Sequence, residues 1–516
     1  MGRWGSQGAR KGSRALPGVR RDAGSHLDCP LVRRLLVLAL VLSAAAPAAA
    51  HAAAPAVPGC ALGTSAADLR GFQAAALARA ERRYGGAKAR RAYSTGVAAW
   101  VYGLAPLSVR NTVPRFPRNQ IVSIAQLVEP EVRTVIAPNV DTTYTVGQID
   151  LSDGPLVVDV PDTAGRYYVL QFMDAYSNTF SYIGRRTTGT KPGSYALVPP
   201  GYSGALPAGV RRIASPTNLI WLIGRTLVTD SADLVPVTDL MREYRLTPLA
   251  TWSAGQRSNP IVLPAFPGQQ NQLVLPKGLA YLDQLGETLA GNPPPKADAC
   301  ALRAFRKVGI GPGLTPSTQA KGAVRAALLA GTRAGPRLVT RAVAHVNSYS
   351  RVRNNGWLVS LGYIGDYGRN YLGRAVIARF ALGANTAPET VYPSAVTDSG
   401  GRPLSGRHRY RMRFARGKLP PADAFWSITM YESDGYLHPN AARRYAIGDR
   451  TPGLRRNADG SLTVAIQRTR PAGVAAANWL PAPKGRFRML MRIYEPRRSV
   501  LRRVWKPPAV VRLKAG

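Results

Sequence analysis

Histidine and cysteine are scarce in this chain of 516 residues, which has five histidines and three cysteines. Zinc sites and Ser-His-Asp hydrolases need such residues at recognisable spacings, and no His-Glu-x-x-His, paired histidine or paired cysteine pattern occurs. No glycine-rich phosphate loop follows a strand and opens a helix. The nearest approach to a nucleophile elbow, around Ser203, lacks its final glycine. The sequence therefore predicts no metal, no nucleotide and no other cofactor.

Acidic residues are also few, at 28 against 69 basic residues, and the formal net charge is +41. Arginine supplies 58 of the basic residues and lysine only 11, in a chain rich in alanine, glycine and proline. Two interpretations stay open: the codon bias of a GC-rich genome, or a basic surface that binds anionic polymers. The second interpretation predicts binding that weakens as the salt concentration rises.

Charged residues are absent from positions 35–50, an almost wholly apolar run that follows a basic stretch. This pattern is typical of a signal peptide. The run is shorter than the roughly 20 residues of a membrane span, and the small residues after it predict cleavage between Ala50 and Ala54. We expect the mature protein to be secreted or associated with the cell envelope. No second apolar run of spanning length occurs, so no transmembrane segment is predicted after signal removal.

Removal of residues 1–54 would leave two cysteines, Cys60 and Cys300. An even number of cysteines in an oxidising compartment is typical of disulfide bonding. We predict a Cys60–Cys300 disulfide, with two separate thiols as the alternative.

The spacing of apolar residues changes twice along the remaining chain. Helical spacing predicts helices over 66–84, 87–102, 239–249, 298–308, 317–346 and 367–382. Strand-like runs occur at 156–160, 166–174, 194–198, 211–214 and 219–228, and again beyond residue 388. We predict an α+β, mainly β fold, with two β-rich lobes that are each a sandwich or barrel and are joined by a helical connector. The predicted domains are 1–54 (signal peptide), 55–250 (N-terminal), 251–384 (connector) and 385–516 (C-terminal).

Two late segments alternate arginine with apolar residues, which predicts strands with one apolar face and one arginine face. The first alternates Arg407, Arg409, Arg411 and Arg413 with His408, Tyr410, Met412 and Phe414; the second alternates Arg486, Arg488 and Arg492 with Phe487, Met489, Met491 and Ile493. The arginine faces are either ordinary solvated faces or anion-binding faces. Aromatic and basic residues of the first segment fall on opposite faces, which argues against a stacking platform for nucleic acid.

Carboxylates are few enough for their positions to be informative. Asp141 lies just before a predicted strand in Asn139-Val140-Asp141-Thr142-Thr143-Tyr144, a run dense in hydrogen-bonding side chains. Glu432 and Asp434 share one short turn-like segment. A pair of carboxylates can act as general acid and base on a glycosidic bond. The alternative is that these residues have turn and capping roles.

Longer motifs resemble a known pair of domains. Over about 100–249 the chain resembles the bacterial domain of unknown function 1254, chiefly through Pro138-Asn139-Val140-Asp141-Thr142-Thr143-Tyr144. Over about 363–512 it resembles the domain of unknown function 1214. The segments that carry the second resemblance include Val391-Tyr392-Pro393, 425–431, Gly448-Asp449-Arg450, Asp459-Gly460-Ser461 and 478–483. The resemblance implies an exported protein with two β-rich lobes, the second similar to a jelly roll, and implies no settled activity.

Aromatic and amide side chains in these motifs extend the candidate site, since an aromatic ring beside a proline-fixed backbone can stack on a sugar ring. The predicted catalytic residues are Asp141 and Tyr144. The predicted ligand-binding residues are Asn139, Trp426, Tyr431, His438, Asn478 and Trp479. Core packing is the alternative for both tryptophans.

The leading hypothesis is an exported ligand-binding or carbohydrate-active envelope protein, whose ligand is a small molecule or a glycan. Any enzymatic activity would be hydrolase-like and would use carboxylates. The rival hypothesis is a non-catalytic structural or assembly protein that binds acidic envelope polymers through a basic sheet face. Only the positive net charge of the protein favours nucleic acid as a ligand, so nucleic-acid binding is not expected. Homo-oligomerisation stays open. Convergence of Asp141, Tyr144, Trp426 and Trp479 on one site would favour the first hypothesis.

Overall fold

The computed structural model describes residues 82–111, 117–133, 136–267, 274–349, 351–360 and 364–514, together with Ala78 and Gly362. The predicted signal peptide, Cys60 and most of the predicted helix over 66–84 lie outside the described residues. The described helices are α1 (Ala87–Asn111), α2 (Leu234–Met241), α3 (Leu249–Ser253), α4 (Leu279–Gly291), α5 (Ala299–Arg306), α6 (Pro316–Gln319), α7 (Gly322–Tyr349), α8 (Tyr371–Phe380) and α9 (Arg498–Leu501).

Most of the described strands lie in the two regions outside the helical connector. In the N-terminal region they are β1 (Val122–Ile124), β2 (Thr142–Asp150), β3 (Leu156–Val160), β4 (Tyr168–Asp174), β5 (Thr179–Gly184), β6 (Gly193–Val198), β7 (Val210–Ala214), β8 (Leu219–Leu227) and β9 (Arg245–Pro248). The connector contains β10 (Ile261–Leu263), β11 (Arg351–Asn354) and β12 (Trp357–Ser360). The remaining strands are β13 (Thr390–Val391), β14 (Ser394–Ala395), β15 (Tyr410–Phe414), β16 (Ala422–Glu432), β17 (Ala446–Gly448), β18 (Leu462–Gln467), β19 (Trp479–Pro481), β20 (Phe487–Pro496) and β21 (Val510–Arg512).

The N-terminal lobe is a sandwich of two sheets. Sheet A has the strand order β10-β1-β2-β8-β4-β5, and sheet B has the order β7-β6-β3-β9. Alternate residues of the central strands, such as Leu170 and Leu222 in sheet A, meet Val158 and Leu197 of sheet B in a buried core. The five strand-like runs predicted between 156 and 228 correspond to β3, β4, β6, β7 and β8. The other face of sheet A remains free to pack elsewhere.

The C-terminal lobe is a second sandwich. Sheet C has the order β11-β12-β14-β20-β16-β17, with β13 also paired to β20, and sheet D has the order β19-β18-β15-β21. Met412 and Val464 of sheet D pack against Ile428 and Met491 of sheet C in the core between the sheets. β15 shows the predicted alternation, because Tyr410, Met412 and Phe414 are buried while its arginines are exposed.

A helical layer covers part of the outer face of sheet A. α1, α4, α5, α7 and α8 share one buried cluster with Met173, Trp221 and Ile223 from that face. α1 and α7 approach closely where Gly331 has no side chain, since a Cβ there would lie 2.7 Å from the backbone oxygen of Tyr93. The helical layer therefore packs directly on the N-terminal lobe as well as linking it to the second lobe.

The predicted α+β fold with two β-rich lobes is confirmed. The predicted helix over 239–249 is largely wrong, because α2 ends at Met241 and the next residues form β9, which pairs with β3. Burial of Tyr244 and Leu246 in the lobe core outweighs the local helical pattern. The connector also supplies edge strands, β10 to sheet A and β11 and β12 to sheet C. Among the helices in the described ranges, none combines the length and hydropathy needed to span a membrane.

Candidate functional site

The outer faces of sheets A and C are turned toward each other, and we call this contact the lobe junction. On β16, Trp426 and Met430 enter the core of the C-terminal lobe, so the odd-numbered residues face the N-terminal lobe. The rings of Phe425 and Tyr494 stack 4.1 Å apart, and the ring of Tyr167 lies 5.3 Å from each of them. These aromatic contacts place one edge of the junction in an apolar environment.

Asp141 lies at the lobe junction, and the C-terminal lobe binds both of its carboxylate oxygens. Oδ1 accepts a hydrogen bond from Nη2 of Arg450 at 2.7 Å, and Oδ2 accepts one from Oγ of Ser427 at 2.6 Å. The backbone N–H of Asp141 donates to Oδ1 of Asn139 at 2.8 Å, which closes the local turn. Only 8% of Asp141 is exposed. The predicted catalytic carboxylate is thus part of a buried ion pair between the lobes.

The residues just before Asp141 also bond across the junction. The side-chain amide of Asn139 donates to the hydroxyl of Tyr494 at 2.7 Å. The carbonyl of Pro138 accepts hydrogen bonds from the hydroxyl of Tyr431 and, at 3.3 Å, from Nη2 of Arg492. Burial raises the pKa of Tyr494 well above its usual value, so this hydroxyl stays protonated. The segment 138–144, which carries the resemblance to the first domain, therefore connects the two lobes through hydrogen bonds.

Arg492 is a buried arginine whose hydrogen bonds go only to neutral groups. The residue is 3% exposed. Its Nη1 donates to Oγ1 of Thr429 at 3.0 Å, and its Nη2 donates to the carbonyl of Ala137 at 2.7 Å. No carboxylate of the described residues lies within ion-pair distance. The alternation that predicts an arginine face on β20 is correct, but the N-terminal lobe buries Arg492, whereas Arg488 is half-buried and Arg486 is exposed.

Arg225 on β8 is a second buried arginine without a carboxylate partner in the described part of the chain. The residue is 7% exposed. Its Nη1 donates to Oδ1 of Asn385 at 3.2 Å, and its Nη2 donates to the carbonyl of Gly383 at 2.7 Å. Tyr144 on β2 is its cross-strand neighbour, and Cζ of Arg225 lies 5.8 Å from the centroid of the Tyr144 ring. This guanidinium therefore projects from sheet A toward the junction.

The charges at the lobe junction do not balance among the described residues. Besides the ion pairs Arg133–Asp434 and Arg443–Glu129, which also join the lobes and are neutral as pairs, six arginines and four carboxylates lie there: Arg185, Arg186, Arg225, Arg450, Arg488 and Arg492, with Asp141, Glu389, Asp449 and Glu495. Each carboxylate has an arginine within 4.0 Å. Arg225, Arg488 and Arg492 have no carboxylate at that distance. The junction therefore holds a formal excess of two positive charges.

Tyr144 is a neighbour of both buried arginines. Its hydroxyl accepts a hydrogen bond from the backbone N–H of Asn139 at 3.0 Å, and the carbonyl of the same peptide bond accepts one from Arg492. The half-buried ring of Phe266 packs against Tyr144 at 6.3 Å. Tyr144 itself is 9% exposed. Tyr144 thus lies almost fully buried where the two lobes meet.

The tryptophan and amide candidates of the C-terminal lobe lie apart from the junction. Trp426 is buried between sheets C and D, where its ring lies 5.4 Å from that of Phe414. Trp479 is on β19 of sheet D and donates from Nε1 to the carbonyl of Gln467 at 2.9 Å. The side-chain amide of Asn478 forms hydrogen bonds with the backbone of Arg455 and Thr463. The structure therefore brings Asn139, Asp141, Tyr144 and Tyr431 together but leaves Trp426, Asn478 and Trp479 elsewhere.

Glu432 and Asp434 lie in the turn that follows β16. Nδ1 of His438 lies 3.0 Å from Oε1 of Glu432, and Asp434 forms an ion pair with Arg133 of the N-terminal lobe. A cavity of about 450 Å³ opens next to this turn, between Glu129 and Glu131 on one side and Asn440 and Tyr445 on the other. Neither carboxylate of the turn bonds to Asp141. Among the described residues, no three His, Cys, Asp or Glu side chains gather in a metal-binding arrangement.

Several residues of the junction were not singled out from the sequence. They are Arg225, Asn385, Ser427, Arg450 and Tyr494. Arg492 was named from the sequence, but its burial was not predicted. A signal was present for one of them, because Arg225 interrupts an otherwise apolar strand at 219–228, where a charge is costly unless it is used. Arg450 and Ser427 lie within motifs of the second resemblance, but nothing local indicates that they bind Asp141.

Comparisons with known proteins agree with this two-lobe architecture. The model of the family "Protein of unknown function (DUF1254)" matches residues 118–248, and that of "Protein of unknown function (DUF1214)" matches residues 389–498. No curated protein matches the chain. The crystal structure of the VPA0106 protein from Vibrio parahaemolyticus is similar, with a TM-score of 0.61 and 22% identity over 82% of this chain and 100% of that one. A putative uncharacterized protein from Burkholderia cenocepacia has a TM-score of 0.41 and 14% identity, over 87% of this chain and 96% of that one.

The first of these structures supports a shared fold and nothing further. The two family matches fall in the order that the motifs predict, one on each lobe. The chain therefore carries a DUF1254 domain followed by a DUF1214 domain.

Proposed function

We propose that this protein is an exported binding protein whose ligand is a small organic anion, held at the lobe junction by Arg225 and Arg492. The observation that carries the proposal is the pair of buried guanidinium groups without a carboxylate partner among the described residues. Burial of an unpaired charge is costly, and proteins normally compensate it with an opposite charge. An anionic ligand would supply that compensation.

Both arginines are well prepared to bind a carboxylate. Each has nitrogens held by neutral acceptors, which fixes the guanidinium plane before a ligand arrives. Arginine presents several N–H donors in a rigid fork that matches a carboxylate. The surroundings are largely aromatic, with Tyr144, Tyr167 and Tyr494 close by. A low-dielectric environment strengthens such charge-assisted bonds.

Binding fits the geometry better than hydrolysis by Asp141. A general acid or base must reach the reacting atom with a free oxygen, and both oxygens of Asp141 are bound by Arg450 and Ser427. The catalytic hypothesis for Asp141 and Tyr144 therefore requires that one of these contacts open when substrate binds. Asp141→Asn separates the two forms of the proposal, since a binding protein keeps its ligand affinity if this variant remains folded.

The proposal is tested by measuring anion binding with isothermal titration calorimetry and thermal unfolding. The first probes are small carboxylates at 0.15 M salt, with wild type compared against Arg225→Gln and Arg492→Gln. We expect the affinity for the tightest-binding carboxylate to fall at least tenfold in each variant, because each loses one charge-assisted pair of about 1.5–3 kcal/mol. Arg411→Gln is the matched control, since it removes the same charge from an exposed position on β15. Equal affinity in all four proteins would contradict the proposal.

A second candidate function rests on the exposed arginine face of β15. Arg407, Arg409 and Arg411 are exposed and have no carboxylate within ion-pair distance among the described residues, whereas Arg413 pairs with Asp459. Such a face suits an assembly protein that binds acidic envelope polymers. Charge reversal of Arg409 and Arg411 would weaken binding to polyglutamate and reduce its salt dependence, while Arg492→Gln would leave both unchanged. Binding that ignores the charge reversal would reject this function.

Export is the remaining part of the proposal. Its support is the basic and apolar pattern of residues 1–54 and the two cysteines that removal of this segment would leave. Cys300 lies on α5, while Cys60 lies outside the described residues. N-terminal sequencing of the protein recovered from the envelope should find a start after one of residues 50–54. Mass spectrometry of a non-reduced digest should find the peptides of Cys60 and Cys300 linked.

A further inference from the structure

We infer that the ligand at the lobe junction is a dianion that is bound by one arginine from each lobe. A dicarboxylate should therefore bind with higher affinity than a monocarboxylate. This inference rests on the proposed function and names its ligand class. Arg225 projects from β8 in the N-terminal lobe, and Arg492 projects from β20 in the C-terminal lobe. The ligand would therefore connect the two lobes.

The two guanidinium groups converge on one short stretch of backbone. The carbonyl of the peptide bond between Pro138 and Asn139 accepts a hydrogen bond from Nη2 of Arg492 at 3.3 Å. The N–H of the same peptide bond donates to the hydroxyl of Tyr144 at 3.0 Å. Cζ of Arg225 in turn lies 5.8 Å from the ring centroid of Tyr144. The surroundings of the two arginines therefore share the Pro138–Asn139 peptide group and the side chain of Tyr144.

The charge count sets the charge of the ligand. The junction holds six arginines against four carboxylates among the described residues, as given above. A monoanion would leave one positive charge uncompensated, whereas a dianion would restore neutrality. Nη2 of Arg488, on the same face of β20, is also buried and has no hydrogen-bond partner among the described residues, but it lies beside Gly435 in the turn after β16. A dianion has acceptor oxygens enough for both Arg225 and Arg492.

Binding of such a ligand would also tie the lobes together. The existing contacts between the lobes at this place include the Asp141–Arg450 ion pair and the hydrogen bond from Asn139 to Tyr494. A ligand held by both lobes adds a further link and stabilises the folded state in proportion to its occupancy. The midpoint of thermal unfolding should therefore rise with ligand concentration, and more steeply for a dianion than for a monoanion.

The test uses matched pairs of probes that differ by one charge: succinate against succinamate, and phthalate against phthalamate, at pH 7.5 and 0.15 M salt. We expect each dianion to bind the full-length mature protein roughly tenfold more tightly than its monoanionic partner or better, since it gains one charge-assisted pair. In Arg225→Gln this preference should fall to about threefold or less, with the monoanion affinity nearly retained. Arg225→Lys keeps the charge and should keep the preference at lower affinity.

The outcomes distinguish this inference from the proposed function. Equal affinity for both members of each pair, lost in Arg492→Gln, would overturn the dianion and leave the anion site in place. A dianion preference that survives Arg225→Gln would also overturn it, because the second contact would not come from the N-terminal lobe. Failure of all four probes to bind would overturn both. Circular dichroism of each variant shows whether it is folded. If Arg225→Gln does not fold, Arg225→Lys carries the test through its expected loss of affinity.

Discussion

The two arginine strands of the C-terminal lobe have the same sequence pattern and opposite surroundings. On β15 in sheet D, Arg411 and Arg413 are exposed and alternate with buried apolar residues. On β20 in sheet C, Arg492 is 3% exposed, and its hydrogen bonds go to the neighbouring strand and to the N-terminal lobe. Alternation determines which residues share a face of a strand, but it does not determine what covers that face.

An exposed arginine and a buried arginine contribute differently to the free energy of folding. An exposed arginine loses little hydration, and its ion pairs contribute about 0–1 kcal/mol at most. A buried arginine must replace its hydration with hydrogen bonds and a counter-charge. Arg492 has the hydrogen bonds but lacks the counter-charge among the described residues. Of two strand faces with the same sequence pattern, the covered one is thus the one where a ligand would matter.

The comparison predicts its largest effect at the ion pairs of the two regions. Asp141→Ala removes the closer of the two carboxylates beside Arg450 and leaves Asp449 at 4.0 Å, while Nε and Nη1 of Arg450 have no hydrogen-bond partner among the described residues. We expect the free energy of unfolding to fall by about 3–5 kcal/mol in urea titrations. The matched variant Asp459→Ala removes the partner of Arg413 on β15 and should be hard to distinguish from wild type. Equal losses in the two variants would show that the junction ion pair behaves like a surface pair.

A smaller difference is expected when the arginines themselves are replaced. Arg492→Gln removes the donor to the carbonyl of Ala137 and to the hydroxyl of Thr429, while the carbonyl of Pro138 keeps the hydroxyl of Tyr431. We expect a loss of about 1–3 kcal/mol in the same urea titration without ligand. Arg411→Gln should stay within about 0.5 kcal/mol of wild type, as is usual for an exposed position. A neutral or stabilising Arg492→Gln would mean that relief of the unpaired charge outweighs the lost hydrogen bonds.

Much of the fold could be predicted from the sequence, because apolar periodicity reports burial directly. The strands at 156–160 and 219–228 and the helix over 317–346 correspond to β3, β8 and the two helices α6 and α7. The helix predicted over 239–249 was wrong because β9 pairs with β3, a contact between residues far apart in the chain. Local pattern does not contain such pairings.

The site was less predictable, for a related reason. The density of hydrogen-bonding side chains around Asp141 drew attention to a segment that contacts the second lobe, but the partners Ser427 and Arg450 lie 286 and 309 positions further along the chain. A carboxylate with a structural partner and a catalytic carboxylate look alike until that partner is known. The unpaired state of Arg225 and Arg492 is likewise a property of the assembled junction, which only the structure displays.

The smallest expected effect is on the pH dependence of stability, and it has opposite signs in the two regions. Burial raises the pKa of Glu495 on β20, although Arg185 opposes the shift. The folded state therefore holds a proton that the unfolded state has lost, and stability falls as pH rises from about 4.3 to the raised folded-state pKa. Hydrogen bonds from Ser461 lower the pKa of Asp459 beside β15, so its contribution is lost as pH falls through the folded-state pKa. Glu495→Gln should flatten the first change and Asp459→Asn the second, in urea titrations between pH 3 and 7. Changes of the same sign in both variants would contradict the contrast between a covered and an exposed strand face.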